Sequence, residues 1–428
     1  MTDGISVQGV SYASLAEEFG TPLYVYDSSI LATRFGELRS VLPSDLEIFY
    51  SLKANPNVSV AAVLRTLGAR AEVSSLTELL TARRAGFVGE DIVFVGPGKS
   101  RSELAAALDT PVHAVVCESF GEMAVVDELA RARDRVVPVM VRVNPAFAVK
   151  GSRLTMGGRP RQFGIDEEEL LAATAPAFRH SALRLMGVHV YMGTRILDEE
   201  VVAENTRRIL DLAQRLSDRL EFPLETVDIG GGLGVAYFDG ERDLDPRSVA
   251  DRIAPPVTDF RAAHPDTRLI MELGRYLTAP SGVYVVRVVD VKTSRGERFA
   301  VTDGGTHHHM AAVGTGSFVK RNFPMRVLGR SDAGEPETWQ VAGPLCTPSD
   351  LLGKNVPLPP VSPGDLIGVL RSGAYGPTAS PGLFLSHGYP AEVLVHEGRP
   401  HLVRERDTPE DLMSRQLLYT EASATVVP

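Results

Sequence analysis

Glu47-Ile48-Phe49-Tyr50-Ser51-Leu52-Lys53-Ala54-Asn55-Pro56-Asn57 is an apolar run that closes on a lysine and is cut by an Asn-Pro-Asn breaker. Aromatic and β-branched residues favour a strand over 47–52, and a proline between asparagines favours a turn. The run therefore places Lys53 at the end of a buried strand. An ammonium group there is costly unless it is paired or has lost its charge. A lysine held near neutrality can attack a carbonyl and form a Schiff base. The plainer reading is a strand-end lysine that reaches solvent, and this stretch alone does not separate the two.

Outward from Lys53 a rhythm appears. Strand-like runs occupy 47–53, 71–75, 92–95, 113–117, 137–143, 185–191, 226–230 and 268–273. Amphipathic helical patterns lie between them, as at 58–67, 76–85, 119–131 and 199–220. On the N-terminal side a short strand at 23–26 ends at Asp27-Ser28, a cap for a helix over 29–39. Such alternation indicates βα units and a parallel sheet. Eight units in about 230 residues favour a closed, TIM-like eight-fold parallel βα barrel over an open doubly wound sheet. The barrel is expected over 29–274.

After Gly274 the rhythm changes to strands without long helices between them, at 283–291, 298–302, 339–341, 366–370 and 392–395. Pro357-Leu358-Pro359-Pro360 and Ser362-Pro363-Gly364-Asp365 punctuate them. These features predict a C-terminal all-β domain over 275–428, with residues 1–28 placed alongside it. A short helix-like piece follows Thr408.

Composition limits the function classes. The chain has 428 residues, 44% hydrophobic and 23% charged, with a formal net charge of −10. That acidity argues against non-specific nucleic-acid binding. Two cysteines, Cys117 and Cys346, offer no disulfide framework and fit a reducing compartment. Neither a signal-peptide pattern nor an apolar run near the ~20 residues of a membrane helix is present, so the expected location is cytoplasmic.

In a βα barrel the chemistry sits at the C-terminal ends of the strands, with phosphate often held after strands seven and eight. Strand seven runs into Asp228-Ile229-Gly230-Gly231-Gly232-Leu233-Gly234, and strand eight into Glu272-Leu273-Gly274-Arg275-Tyr276. Glycines let backbone N–H groups approach a phosphate, and an arginine adds a bidentate partner. The run is no dinucleotide fingerprint, because the third glycine of that pattern would fall at Val235. A lysine after strand one, glycines after strand seven and an arginine after strand eight together suggest pyridoxal 5′-phosphate (PLP) bound to Lys53.

The chain resembles the barrel-type (fold III) PLP decarboxylases, the family of diaminopimelate and ornithine decarboxylases. The matching stretches are 50–55, 188–194, 230–234, 272–276, 343–350 and 372–376. The resemblance implies that Lys53 carries the Schiff base and that Glu272 faces the pyridine nitrogen; a rim salt bridge to Arg275 is the structural alternative for Glu272. It also implies that Thr194, Gly231, Gly232, Gly274, Arg275 and Tyr375 surround the phosphate. Glu72 and Arg142 match positions near the Schiff base. In the family the segment of Cys346 reaches a neighbouring subunit's site, where the cysteine helps protonate product; this implies a homodimer with shared active sites.

Two departures bear on substrate. The common decarboxylases carry Asp or Glu directly after this cysteine, to pair with a distal ammonium, whereas this chain has Thr347. A basic side chain would be desolvated there without a partner. The histidine usual over the cofactor ring is replaced by Tyr191, in His189-Val190-Tyr191-Met192-Gly193-Thr194. Both departures recur in decarboxylases of aminoacyl groups tethered to acyl carrier proteins, such as the glutamyl-carrier enzyme of butirosin biosynthesis. That subgroup also shares stretches like 157–164, His307-His308-His309 and 322–325, which further occur in decarboxylases associated with exopolysaccharide export. The resemblance implies α-decarboxylation of an acidic aminoacyl group (glutamyl, aspartyl or methylaspartyl) on a carrier protein, in secondary-metabolite biosynthesis. His189, His307 and Thr347 are the expected substrate contacts. A free amino acid decarboxylase, a non-catalytic homologue and a racemase are the rivals.

The histidine run invites a metal reading. In an extended segment only His307 and His309 share a face, and no further ligands stand at metal spacing, so no metal is expected. Lys320, Arg321, Arg326 and Arg330 form a basic cluster that suits an acidic carrier surface, or else a plain solvated face.

Overall fold

The computed structural model describes residues 6–148, 154–155, 158–173, 180–313, 321–329 and 334–419. The stretch before Lys53 forms strand β1, Leu46–Ser51. Seven further strands follow: β2 Arg70–Val73, β3 Ile92–Phe94, β4 Ala114–Cys117, β5 Val137–Asn144, β6 Leu183–His189, β7 Thr226–Gly231 and β8 Arg268–Leu273. Each pairs in parallel with the next, and β8 pairs with β1, so the sheet closes into an eight-stranded βα barrel. Two strands stop earlier than their sequence suggests. Lys53 lies past the strand, on a single 3-10 turn over Leu52–Ala54, and Tyr191 lies on the loop after β6. The Asn55 carbonyl is already folded back to accept the Tyr50 hydroxyl at 2.6 Å, which ends the extended run before the proline is reached.

Alternation along each strand sorts the barrel interior. Phe49, Val93, Met140, Met186 and Ile270 belong to one buried apolar cluster. Two residues further along β5 and β8, on the same faces, stand Arg142 and Glu272. The interior is therefore apolar at depth and polar at the C-terminal ends of the strands. The helices begin at that same end, capped by side chains: Asn57 accepts from Ser59 N, Ser75 from Glu78 N and Ser119 from Glu122 N. At the opposite end, a cleft of about 450 Å³ is lined by Arg39, Glu47, Arg70, Arg261 and Arg268 among others. Carboxylates and backbone carbonyls already engage these arginines, so ion pairs tie the strand starts together.

The chain divides into two compact units, Asp27–Gly282 and, in the other, Met1–Tyr26 with Val283–Pro428. The second unit is built on a sheet of β9 Gly282–Ser294, β10 Glu297–Thr302, β11 Met325–Leu328, β12 Glu337–Ala342, β13 Leu351–Leu358, β14 Leu366–Val369, β15 Ala391–His396 and β16 Arg399–Arg404. The strand Leu23–Asp27 joins it between β9 and β15. Leu23 and Val25 are buried there with Val285 and Val393, which explains why an N-terminal strand precedes the barrel. Strands β11, β13 and β16 escape the sequence reading. Gly353, Lys354, Asn355 and Pro357 interrupt β13, and Arg399, Pro400 and His401 fill β16, so neither shows a clean apolar alternation.

The histidine run corrects an expectation. It is a turn, not an extended segment, so alternation does not apply. The rings of His307 and His308 sit 3.8 Å apart between centroids, and His307 lies 4.6 Å from His387. His308 Nε2–H donates to Gly388 O at 2.8 Å, while its Nδ1 faces the Tyr284 hydroxyl at 3.1 Å. His309 Nε2 meets Ser372 Oγ at 2.8 Å. Burial lowers His307 to about 4, with His387 adding to the effect, and lowers His308 and His309 to about 3. In the unfolded chain these groups titrate near 6.5, so between there and about 4 the unfolded state binds more protons. Stability should fall as pH drops through that window, by on the order of 2 kcal/mol per histidine at pH 4.5. A thermal midpoint that stays flat from pH 7 to pH 5 would show that the folded protein accepts these protons.

Candidate active site

Lys53 Nζ lies 3.0 Å from Glu72 Oε2, and its side chain is 36% exposed whereas that of Glu72 is 1% exposed. Glu72 stands on β2 in register with Ser51, which places its carboxylate beside the turn that carries Lys53. The other Glu72 oxygen accepts the Ser74 hydroxyl at 2.8 Å. Lys53 Nζ also sits 5.4 Å from the centre of the Tyr191 ring. Glu78, in the first turn of the next helix, accepts Ser74 N at 2.7 Å. Burial and the Glu72 carboxylate push Glu78 up to about 7. The amine at the barrel mouth is thus reachable, oriented by a buried carboxylate and flanked by an aromatic face.

A second buried cluster spans four adjacent strands, β5 to β8. His189 at the end of β6 is in register with Asp228 on β7 and with Arg142 on β5. His189 Nε2 lies 3.0 Å from Glu272 Oε1, both side chains being 1% exposed. Glu272 pairs with this imidazole through Oε1. Burial alone would raise Glu272, but His189, then Lys53 and Arg142, outweigh it and hold the carboxyl down at about 2. Asp228 moves the other way, raised by burial and by the Glu272 carboxylate. Asp228 Oδ1 accepts Gly230 N at 2.8 Å.

The glycine run permits close backbone packing across these strands. Gly232 has φ of +81°, and a Cβ there would run into Gly193 O, next to Thr194. A Cβ on Gly231 would strike Glu272 O, and one on Gly274 would lie 2.7 Å from Ala54 Cβ. Thr194 belongs to a two-residue strand paired with Leu154–Thr155. Arg275 opens the short helix Arg275–Thr278, and its Nη1 donates to Tyr237 Oη at 3.1 Å. These elements converge on the ends of β6, β7, β8 and the Lys53 turn.

Arg142 is anchored sideways. Its Nη1 donates to Glu118 Oε1 at 2.7 Å, and its guanidinium lies 4.7 Å from the Phe163 ring centre. Glu118 Oε2 in turn accepts Gly164 N at 2.7 Å, and Asn144 Nδ2 donates to Arg159 O at 3.1 Å. The segment 158–164 is thereby fixed to the end of β5, while Gly157 lies outside the described residues.

Four of the expected site residues, His307, Cys346, Thr347 and Tyr375, belong to the second unit. The segment holding Cys346 and Thr347 is shaped by Asp350, whose Oδ2 accepts Leu345 N and whose Oδ1 accepts Thr306 N, both at 2.8 Å. Cys346 is exposed, Thr347 Oγ1 meets Ser349 Oγ at 2.9 Å, and Tyr375 has φ of +54°. Of the basic cluster, Lys320 and Arg330 lie outside the described residues. Sequence reasoning missed Asp228, Glu78 and Glu118. Asp228 sits in a quoted motif, yet only its neighbouring strands reveal what it faces.

Comparison with known proteins gives a family to this geometry. The sequence model described as "Pyridoxal-dependent decarboxylase, pyridoxal binding domain" matches residues 29–279. The L-glutamyl-[BtrI acyl-carrier protein] decarboxylase of Niallia circulans is 39% identical, over 97% of each chain. The diaminopimelate decarboxylase of Aquifex aeolicus is 30% identical, over 94% of this chain and 93% of its own. Among solved structures, diaminopimelate decarboxylase from Helicobacter pylori complexed with L-lysine superposes with a TM-score of 0.85 at 27% identity, covering 97% of this chain and all (100%) of that one.

Proposed function

The chain belongs to the pyridoxal-dependent decarboxylases, and from that premise we propose that it removes the α-carboxylate of an acidic aminoacyl group tethered to an acyl carrier protein. The carrying observation is the 39% identity over 97% of both chains to a glutamyl-carrier decarboxylase, against 30% to a diaminopimelate decarboxylase. Thr347 supports it, since a thioester replaces the distal carboxyl of the substrate with a neutral group that needs no ion pair.

The barrel site suits PLP on its own chemistry: a reachable primary amine, an aromatic face beside it, a buried carboxylate held ionised, and glycines that bring backbone close. Bound there, PLP supplies an aldehyde that condenses with amines and a ring that accepts the electron pair left by carbon dioxide. Lys53 provides the linking amine and Glu72 orients it. Glu272 would hold a proton on the ring nitrogen, and Tyr191 would stack on the ring where the family places histidine. Thr194, Gly231, Gly232, Gly274 and Arg275 would bind phosphate, and Tyr375 is the further phosphate contact that the family resemblance implies. Cys346 or Lys53 returns a proton to the α-carbon, with Cys346 donated by the second copy in a homodimer. His189, His307 and Thr347 meet the substrate. Arg321 and Arg326 offer cations to an acidic carrier.

The test follows carbon dioxide release from PLP-loaded protein with free glutamate, aspartate, lysine and diaminopimelate, beside γ-glutamyl- and β-aspartyl-carrier proteins. Loss of one carboxyl from a carrier-bound substrate, with free amino acids inert, is the expected result. Turnover of a free amino acid would hand the function to the family's commoner activity. In the same panel, Thr347→Asp should slow the carrier-bound substrate about tenfold or more, because it sets a carboxylate against a neutral or acidic group. Unchanged preference would place specificity elsewhere.

A further inference from the structure

Asp228, His189 and Glu272 each offer an atom within 4.8 Å of the others, and all three residues are buried. Asp228 Oδ1 has its donor in Gly230 N, but Oδ2 is buried with no hydrogen-bond partner. Glu272 already takes His189 as a donor on Oε1. A buried carboxylate oxygen without a donor is costly, and two carboxylates side by side in a dry interior do not both keep their charge. A proton on Asp228 Oδ2 removes both difficulties. It cancels one charge and turns the orphaned oxygen into a donor facing an acceptor.

We infer that Asp228 is a neutral carboxylic acid that donates its proton in a hydrogen bond to Glu272, and so acts as a positioning residue for the carboxylate that serves the cofactor ring. The inference rests on the proposed role of Glu272. Flanked by an imidazole on one side and a carboxylic acid on the other, Glu272 has its rotamer fixed and its ionised form favoured, since hydrogen bonds to a charged group favour that charge. The charged groups that bear most on the pair are Glu72 on β2, Arg142 on β5, His189 on β6 and Lys53 on the turn after β1. The raised proton affinity of Asp228 agrees with the geometry.

The test uses the full chain and reads the protonation state directly. In cofactor-free protein near neutral pH, infrared spectroscopy should show the C=O stretch of a protonated carboxyl that Asp228→Asn removes and that Glu78→Gln, which deletes another carboxyl raised to about 7, leaves in place. Asparagine keeps both an acceptor for Gly230 N and an N–H donor for Glu272, whereas alanine keeps neither. Asp228→Ala should therefore lose roughly 10- to 100-fold in kcat after reloading with PLP, and Asp228→Asn should recover most of that loss. If the alanine variant fails to fold, the infrared comparison of wild type with Asp228→Asn decides alone. A wild-type spectrum without the band overturns the inference, as does a folded Asp228→Asn as impaired as alanine. One tightly bound divalent ion per chain by elemental analysis, with the band absent, would also overturn it by giving the orphaned oxygen a cation instead. None of these infrared outcomes depends on the enzyme's substrate, so they stand apart from failure of the carrier-bound reading.

Discussion

Replacing Lys53 with alanine is expected to abolish decarboxylation, a loss on the order of 10⁴-fold or more, together with the visible absorbance of lysine-linked cofactor. Lys99, the nearest in sequence on the C-terminal side of the early strands, is spent on Glu122 at 3.0 Å and on Gly96 O at 2.6 Å, with its side chain 1% exposed. The variant should fold, because Lys53 sits on a turn after β1 and not within the apolar cluster. Some stability is lost all the same: Glu72 is 1% exposed and would keep only Ser74 as a partner of those described. Circular dichroism establishes the fold, and absorbance with carbon dioxide release reads the chemistry. A folded variant that kept both signals would end the assignment of Lys53.

Glu272→Gln should lower kcat by roughly 10²- to 10³-fold while leaving the Lys53-linked absorbance in place. The reasoning is electrostatic. A carboxylate that His189, Lys53 and Arg142 hold below the usual carboxylate range favours its charged form and stabilises a proton on a ring nitrogen facing it. The amide has nearly the same shape but no charge, so position survives and the charge does not. Binding of cofactor and loss of rate should therefore separate. If kcat were unchanged, the ring would owe nothing to this carboxylate, and the His189–Glu272 pair would be a structural feature of the barrel rim. If the cofactor were lost as well, Glu272 would be holding the site together instead of tuning it.

The sequence carried much of this architecture because its signals are local. Apolar β-branched runs alternating with amphipathic helices mark βα units, and Lys53, the glycines from Gly230 to Gly234 and Glu272 to Arg275 are legible as strand-end punctuation. Strand ends were less legible. The turn at Leu52–Ala54 is as apolar as the strand before it, so only backbone hydrogen bonding shows that Lys53 has left the sheet. The histidines at 307–309 misled in the same way, since three like residues carry no signal for turn or strand.

By itself the sequence determined the barrel, through its periodicity, and the family, through the motifs in which it resembles other members, and it singled out Lys53 as the proposed linking lysine. Only the tertiary structure decided which charges confront one another. Arg142, His189 and Asp228 lie far apart in the chain, yet parallel register sets them side by side on β5, β6 and β7, and a shift between Asp228 and Gly231 brings Glu272 of β8 alongside. Register depends on how the strands slide as the barrel closes, and no single strand records it. A carboxylate looks the same in sequence whether its neighbour is water, an imidazole or a second carboxylate. The interior of the closed barrel makes that choice, and with it the division of charge between Asp228 and Glu272.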